Sequence, residues 1–180
     1  MAIKATIYKA QVQITDLERH YYEPINLTIA KHPSETDERM MVRLLAFILN
    51  AHEHLQMTKG LSSDDEPDIW QVNLAGEIDL WIELGLPDEK RVRKASGRAK
   101  AVKVYTYGGG AADIWWQKNQ NKLNRAKNLS VINLSPDSVG EMAQLVQRTM
   151  ELQCTIDSGE VWLTDGQTSV TIVPGVLYPV

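Results

Sequence analysis

Three of the four carboxylates in the stretch PDIWQVNLAGEIDLWIEL, residues 67–84, are candidates for a common site, namely Asp68, Asp79 and Glu83. In IDLWIEL, strand alternation places Asp79 and Glu83 on the face opposite four aliphatic residues. If Ala75-Gly76 forms a two-residue turn, the hairpin register places Val72 opposite Asp79, Trp70 opposite Trp81 and Asp68 opposite Glu83. Facing carboxylates repel each other unless a cation or a shared proton compensates them, and Mg²⁺ would supply that compensation. We therefore predict a metal-binding and catalytic acid pair centred on Glu83.

Glu83 has two candidate partners in this pair. Asp79 lies four residues earlier on the same predicted strand, about 13 Å away between Cα atoms in ideal geometry. That distance is too long for one Mg²⁺ ion unless a bulge shortens it, so Asp68 is the nearer partner. Both acids are kept as candidate catalytic and metal-binding residues. An alternative stays open, in which the acids lie at strand ends in solvent or pair with Arg or Lys side chains.

A basic segment follows the acidic stretch in a chain whose formal net charge is -4. Its cations are Lys90, Arg91, Arg93, Lys94, Arg98, Lys100 and Lys103. Arg91, Lys94 and Arg98 follow the spacing i, i+3, i+7 and share one flank of a predicted helix. This flank predicts phosphate binding by Arg91 and Arg98, whereas the alternative is an ordinary solvated helix face.

A fourth acid, Glu38, lies at the edge of the apolar stripe of an earlier helix, predicted in HPSETDERMMVRLLAFILNAHEHL. Ser34 and Asp37 precede that stripe with the spacing of a capping box. Glu38 is predicted to be an accessory acid that faces the same site.

Composition limits the class of protein. A chain of 180 residues with 43% hydrophobic and 23% charged residues is typical of one globular domain, predicted over residues 1–180. Cys154 is the only cysteine, which excludes an intrachain disulfide and a cysteine zinc cluster. No run approaches 18 apolar residues and the start of the chain lacks a signal-peptide pattern. We expect a cytoplasmic protein without a membrane partner.

Periodicity predicts an α/β (α+β) protein. The chain is expected to open with two paired strands, ending in INLTIA, and to continue with the first helix, strands in PDIWQVN and IDLWIEL, and a helix in PDEKRVRKASGRAK. Next come a strand in AVKVYTY, a helix in ADIWWQKNQNKL, a strand in LSVINL and a helix in SPDSVGEMAQLVQRTM. Strands in LQCTID, EVWLTD and TSVTIVP close the chain. This order favours one mixed sheet flanked by helices, with an N-terminal β-hairpin and a C-terminal β-meander.

Four segments, HPSETDERMMVRLLAF, GEIDLWIELGLPDEKRVRKA, VYTYGGGAADIWW and RTMELQ, are similar to the YaeQ family of small bacterial proteins. The resemblance covers essentially the whole chain. That family resembles the PD-(D/E)xK nuclease superfamily, whose restriction-endonuclease-like core has the order α-β-β-β-α-β. The resemblance implies a divalent metal bound by an acid on one strand and a (D/E)-x-K tripeptide on the next.

The motif carries over onto this chain with one departure. Pro67-Asp68 matches the PD element, and Glu83-Leu84-Gly85 matches the tripeptide, with glycine where the lysine is expected. The resemblance implies that a lysine of the following helix supplies the missing charge. Lys94 is the preferred candidate, and Lys90 is the second. Asp79 is a rival to Asp68, because Gly76 to Asp79 resembles the G-x-x-D element of related nucleases.

Two main functions follow. The first is a Mg²⁺-dependent phosphodiesterase that cleaves DNA or RNA, with Glu83 and Asp68 or Asp79 on the metal and Lys94 assisting the attacking water. The second is an inactive protein of the same fold that binds nucleic acid or a protein partner through the same face, as Gly85 favours. A protein-binding module that uses the sheet edges of the terminal meander is a third possibility. The oligomeric state is not indicated by the sequence.

Overall fold

The computed structural model describes residues 4–58 and 65–179. Within them the strands are β1 Thr6–Asp16, β2 Pro24–Lys31, β3 Leu55–Met57, β4 Ile69–Val72, β5 Ile78–Leu84, β6 Ala99–Thr106, β7 Leu129–Asn133, β8 Thr149–Asp157, β9 Glu160–Thr164, β10 Ser169–Ile172 and β11 Gly175–Tyr178. The helices are α1 Asp37–Leu49, α2 Glu89–Arg98, α3 Gly110–Leu123 and α4 Pro136–Ala143. Mixed α+β structure is confirmed.

The strands form two sheets rather than the one mixed sheet expected from the sequence. The chain folds as two compact units, Met1–Met41 with Ser135–Pro174 and Val42–Leu134 with Gly175–Val180. Each unit contains one sheet. The single-sheet prediction was wrong because the terminal strands pair with each other, a long-range choice that local periodicity does not encode.

The first unit contains a five-stranded sheet of order β10-β9-β8-β1-β2. Strands β1 and β2 form the predicted N-terminal hairpin, and β8, β9 and β10 form the predicted C-terminal meander. The two are joined by parallel pairing of β1 with β8, where Val12 is paired with Leu152. In β1, Ala10, Val12 and Ile14 are buried and alternate with exposed residues, as one covered face requires.

The second unit contains a six-stranded sheet of order β11-β7-β6-β5-β4-β3. Its centre, β5, β6 and β7, is parallel, and α2 and α3 are the crossover helices between those strands. The helices cover a cluster that includes Trp81, Val92, Ala95, Val102 and Leu123. Small residues on the inner stripe of α2 let this helix pack closely on β5 and β6.

Helix boundaries follow local chemistry. Helix α2 begins after Asp88, whose side chain accepts a hydrogen bond from the Lys90 N–H. In α1, the Thr36 hydroxyl oxygen accepts from the Arg39 N–H at 3.1 Å. Ser34 is bonded to His32, so Thr36 takes the place of the predicted capping box of Ser34 and Asp37.

Among the residues that the structure describes, no helix is both long enough and apolar enough to cross a membrane.

Candidate functional site

The β4–β5 hairpin places the predicted acids, and its register is partly as expected. Trp70 is paired with Trp81, as predicted, and Ile69 with Ile82. The turn is longer than the expected Ala75-Gly76, because the Asn73 N–H bonds the Glu77 carbonyl at 2.9 Å. Gly76 closes this three-residue loop with a φ of 82°.

A register shift follows from that longer turn. Val72 is paired with Ile78, not with Asp79, and the ladder is irregular between Gln71 and Val72. The predicted pairing of Val72 with Asp79 was therefore wrong. The irregularity separates the surroundings of Asp79 from those of Glu83.

Asp68 and Glu83 come together at the other end of the hairpin. Asp68 directly precedes β4, and its Oδ2 accepts a hydrogen bond of 3.3 Å from the Leu84 N–H. The side chains are both buried, with Glu83 4% exposed and Asp68 9% exposed. The structure thus brings these two predicted acids into one buried region.

The Glu83 carboxylate is held by two donors. Trp81 Nε1 donates to Oε1 at 2.8 Å, and Arg91 Nε donates to the same oxygen at 2.8 Å. Burial raises the pKa of Glu83, while the bonds from Trp81 and Arg91 lower it and the Asp68 charge raises it further. Since burial is the largest of these effects, the pKa is raised above its ordinary value.

The basic flank of α2 contacts the segment that leads into Asp68. Arg91 Nη2 donates to the Glu66 carbonyl at 2.7 Å, and Arg98 Nη1 donates to the Asp65 carbonyl at 3.2 Å. The Arg98 guanidinium also lies over the Trp81 ring, 5.1 Å from its centroid. Both arginines thus link α2 to the hairpin, and phosphate binding by them stays a prediction.

Asp79 has a separate set of partners. Its Oδ1 lies 3.1 Å from Lys100 Nζ and accepts a bond of 3.1 Å from Asn73 Nδ2. The hydrogen bond from Lys100 is the largest cause of a lowered Asp79 pKa, and Asn73 and Gln71 add to it. Asp79 is therefore compensated by a lysine at the partly exposed end of β5.

The remaining predicted residues lie outside this buried cluster. Lys94 is exposed and, with Asp88, Lys90 and Arg91, lines a shallow depression of about 340 Å³ on α2. Glu38 is exposed in the first unit, in a depression of about 560 Å³ that it shares with α4 and the segment entering β10.

Gly85 has a conformational role at the position of the expected lysine. Its φ is 87°, a region that side-chain-bearing L-residues rarely adopt, and its N–H bonds the Tyr105 carbonyl at 2.8 Å. A lysine here would strain the backbone just where the chain leaves β5.

The donor set does not fit a resident Mg²⁺ ion. Within residues 4–58 and 65–179, no group of three or more His, Cys, Asp or Glu side chains could hold a metal. Asp68 and Glu83 provide two carboxylates, and Arg91 already supplies the positive charge at Glu83. An ion that used Glu83 Oε1 among its near-octahedral oxygen ligands would have to displace that arginine.

Sequence reasoning missed two partners of the acids. Trp81 and Glu83 are two apart on one strand, so their same-face bond was readable from the alternation. Lys100 was counted only as part of the basic segment, although its place at the start of β6, beside β5, brings it to Asp79.

The fold and the site define a class: a mixed α+β protein with a β-α-β-α-β parallel core and a buried acid–arginine pair between a hairpin and the first crossover helix. A family model described as YaeQ protein matches residues 1–174, and the chain belongs to the YaeQ family. It is 50% identical over 172 residues to "Uncharacterized protein YaeQ" of Escherichia coli (strain K12), covering 96% of this chain and 95% of that one. The Salmonella typhi protein of the same description is 50% identical with the same coverage.

Solved structures of the family have the same fold. The crystal structure of YaeQ protein from Xanthomonas axonopodis pv. citri superposes with a TM-score of 0.93 at 48% identity, covering 96% of this chain and 98% of that chain. The crystal structure of YaeQ protein from Pseudomonas syringae gives a TM-score of 0.92 at 34% identity, with coverage of 98% and 97%.

Proposed function

We propose that this protein binds nucleic acid through the exposed basic face of α2, without a resident metal ion at Glu83. The observation that carries the proposal is the ion pair of 2.8 Å between Arg91 and the buried Glu83. This ion pair gives the buried acids a structural role, because it links α2 to the β4–β5 hairpin. The lysines on the outside of the same helix remain exposed to a ligand.

The charge distribution supports a polyanionic ligand. Lys90 and Lys94 are exposed on α2 although the chain has a net charge of -4. Local positive charge on a net acidic protein is selective, because the rest of the surface repels a polyanion. Phosphate contacts of this kind provide affinity without sequence readout.

A nuclease-like core is part of this proposal. The order α1-β3-β4-β5-α2-β6 agrees with the α-β-β-β-α-β order that the resemblance to PD-(D/E)xK nucleases implies. Members of that superfamily act on nucleic acid, which supports the class of ligand proposed. The ion pair between Arg91 and Glu83 and the left-handed backbone conformation of Gly85 favour binding over cleavage.

Binding is tested by fluorescence anisotropy with a labelled single-stranded oligonucleotide over a series of salt concentrations. For wild type, log Kd should rise linearly with log salt concentration, which means that the affinity falls as salt is added. The variant Lys90→Gln/Lys94→Gln is expected to lower the slope by about 1.4, or about 0.7 for each phosphate that is no longer neutralised. Lys9→Gln, an exposed cation of β1, is the charge control and should leave the slope unchanged. No binding by wild type, or equal slopes in all three proteins, would overturn the proposal.

The metal-dependent phosphodiesterase is tested in the same preparation. It stays a prediction, supported by the approach of Asp68 to the end of the strand that carries Glu83. Incubation with Mn²⁺ or Mg²⁺ should leave the oligonucleotide intact if the protein only binds. Cleavage by wild type that Glu83→Gln abolishes would replace the binding proposal with the catalytic one.

A further inference from the structure

A second basic surface lies on the opposite flank of α2. Arg93, Ser96, Lys122, Arg125 and Ala126 line a groove of about 500 Å³ where α2 meets the end of α3. None of these residues belongs to the acid–arginine pair of Glu83 and Arg91. That pair lies on the flank of α2 that also carries Arg98. The groove therefore needs an explanation of its own.

The groove carries excess positive charge. Glu89 accepts bonds from Arg93 Nε at 2.6 Å and Nη2 at 3.3 Å, and lies 3.7 Å from Lys122 Nζ. Glu89 thus pairs with two of the cationic side chains, and Arg125, which also lines the groove, adds a third positive charge. Lys122 is 64% exposed and Arg93 53% exposed, so their charged ends are accessible from solvent.

The backbone beneath these cations is held firmly. The Tyr178 hydroxyl shares its one hydrogen between the carbonyls of Asn124 and Ala126, at 2.9 and 3.1 Å, on either side of Arg125. Asn128 Nδ2 donates to the carbonyls of Ser96 and Ala99, at 2.9 and 3.0 Å. The Tyr178 bonds join β11 to the loop after α3, and the Asn128 bonds join that loop to the end of α2. A scaffold fixed in advance lowers the conformational cost of binding a ligand.

The chemistry of the lining selects an anion. Ser96 already donates its hydroxyl to the Arg93 carbonyl at 2.8 Å, and Arg93 Nε and Nη2 donate to Glu89. The main donors offered to a ligand are therefore the Arg125 guanidinium and the Lys122 ammonium group. Arginine guanidinium matches two oxygens of a phosphate at once. Ala126 is the one apolar residue of the lining, and within the described part of the chain the lining includes no aromatic ring on which a base could stack.

We propose that this groove binds a backbone phosphate of the nucleic acid, with Arg125 and Lys122 as the principal contacts and Arg93 assisting. The identity of the ligand rests on the function proposed above, whereas the phosphate chemistry rests on the groove alone. A volume of about 500 Å³ accommodates a phosphate with its adjoining sugars. Together with Lys90 and Lys94, the groove gives α2 a phosphate-binding surface on each side.

The test uses Lys122→Gln/Arg125→Gln in the full chain, with Lys9→Gln as the charge control. Circular dichroism melting checks that the variant is folded, as expected for substitutions of exposed side chains. With the labelled oligonucleotide, the salt slope should fall by about 1.4 and the affinity by about tenfold, independently of base sequence. A slope equal to that of the control would overturn the inference.

A second arm separates this inference from the proposed function. Pyrophosphate is titrated into ¹⁵N-labelled protein, and the amide resonances of Ser96, Arg125 and Ala126 are followed by NMR. Shifts in wild type that vanish in the variant support a phosphate site, even if wild type binds no oligonucleotide, and then assign it to a small phosphate ligand. Absence of such shifts together with absence of oligonucleotide binding would overturn both the site and the proposed function.

Discussion

The two ends of β5 each carry one acid, Asp79 or Glu83, and the two acids differ in their surroundings. Asp79 pairs with Lys100 at 3.1 Å near the exposed end, and its pKa is lowered. Glu83 pairs with Arg91 at 2.8 Å beneath α2, and its pKa is raised. A cation at hydrogen-bonding distance is therefore not enough to determine the pKa of a carboxyl group, because burial can outweigh it.

The difference arises from what covers the strand. Glu83 is 4% exposed, and its charged form loses most of its hydration when α2 packs on β5. Asp79 keeps access to water, so its ion pair contributes little and is screened by salt. Substitutions at the buried end should accordingly have large effects, and those at the open end small ones.

Arg91→Met should have the largest effect. It leaves the Glu83 carboxylate buried without its cation, and the free energy of unfolding should fall by about 3 kcal/mol. Urea denaturation at pH 7 measures this loss. Arg93→Met is the matched control on the same helix, since Arg93 pairs with Glu89 at the surface, and should cost less than about 1 kcal/mol. Equal losses of unfolding free energy in Arg91→Met and Arg93→Met would show that the buried pair stabilises the protein no more than the surface pair does.

Trp81→Phe should rank second. Phenylalanine fills most of the indole site but cannot donate to Glu83 Oε1, and losing a hydrogen bond to a buried charged group costs about 2 kcal/mol. The pKa of Glu83 should rise further, because the Trp81 bond lowers it. NMR titration of the labelled carboxyl carbon measures this directly. Trp70→Phe, across the ladder from Trp81, is the control and should leave the Glu83 pKa unchanged.

Glu83→Gln should change how stability depends on pH. With its pKa raised above 4.5 in the folded protein, Glu83 binds its proton more tightly when folded than when unfolded. That stabilising contribution is complete below pH 4.5 and is lost as the pH rises through the folded pKa. The unfolding free energy of wild type minus that of Glu83→Gln should therefore fall over this window and then level off. A difference that grows with pH would mean that Arg91 lowers the pKa of Glu83 by more than burial raises it.

Asp79→Asn should have the smallest effect and the opposite pH dependence. Its pKa is lowered below 3.8, so its contribution is present above pH 3.8 and is lost as the pH falls through the folded pKa. Denaturation in low and high salt should show that this contribution disappears on screening. An effect as large as that of Trp81→Phe would remove the distinction between the two ends of β5.

Much of the unit around β5 could be predicted from local patterns. Alternation in IDLWIEL located the strand, the hairpin register gave the pairing of Trp70 with Trp81, and the helix predicted from Pro87 onward contains α2, which begins two residues later. The turn was not predicted, because the Asn73 side chain accepts bonds from the Ala75 and Glu77 N–H groups and stabilises a three-residue loop. Dipeptide turn rules do not include such side-chain competition.

The neighbours of Glu83 were predictable only in part. The hairpin register brought Asp68 toward Glu83. The compensating charge in the structure is a guanidinium, as in the alternative of pairing with Arg or Lys side chains, and the metal ion stays a prediction. The direction in which the Arg91 side chain leaves α2 depends on packing, which a helical wheel does not specify. The short strands β3 and β11 were missed for a related reason, since three or four residues carry too little periodicity to identify a strand.

The parallel pairing of β1 with β8 has a consequence for synthesis on the ribosome. Lys9 pairs with Thr149, so one side of β1 cannot gain its neighbour until most of the polypeptide has been translated. Until then the hairpin of β1 and β2 presents unpaired backbone amides to solvent, the kind of edge on which nascent chains associate wrongly. Assembly of the first sheet is thus timed by the emergence of β8, and chaperone protection is most useful during that interval.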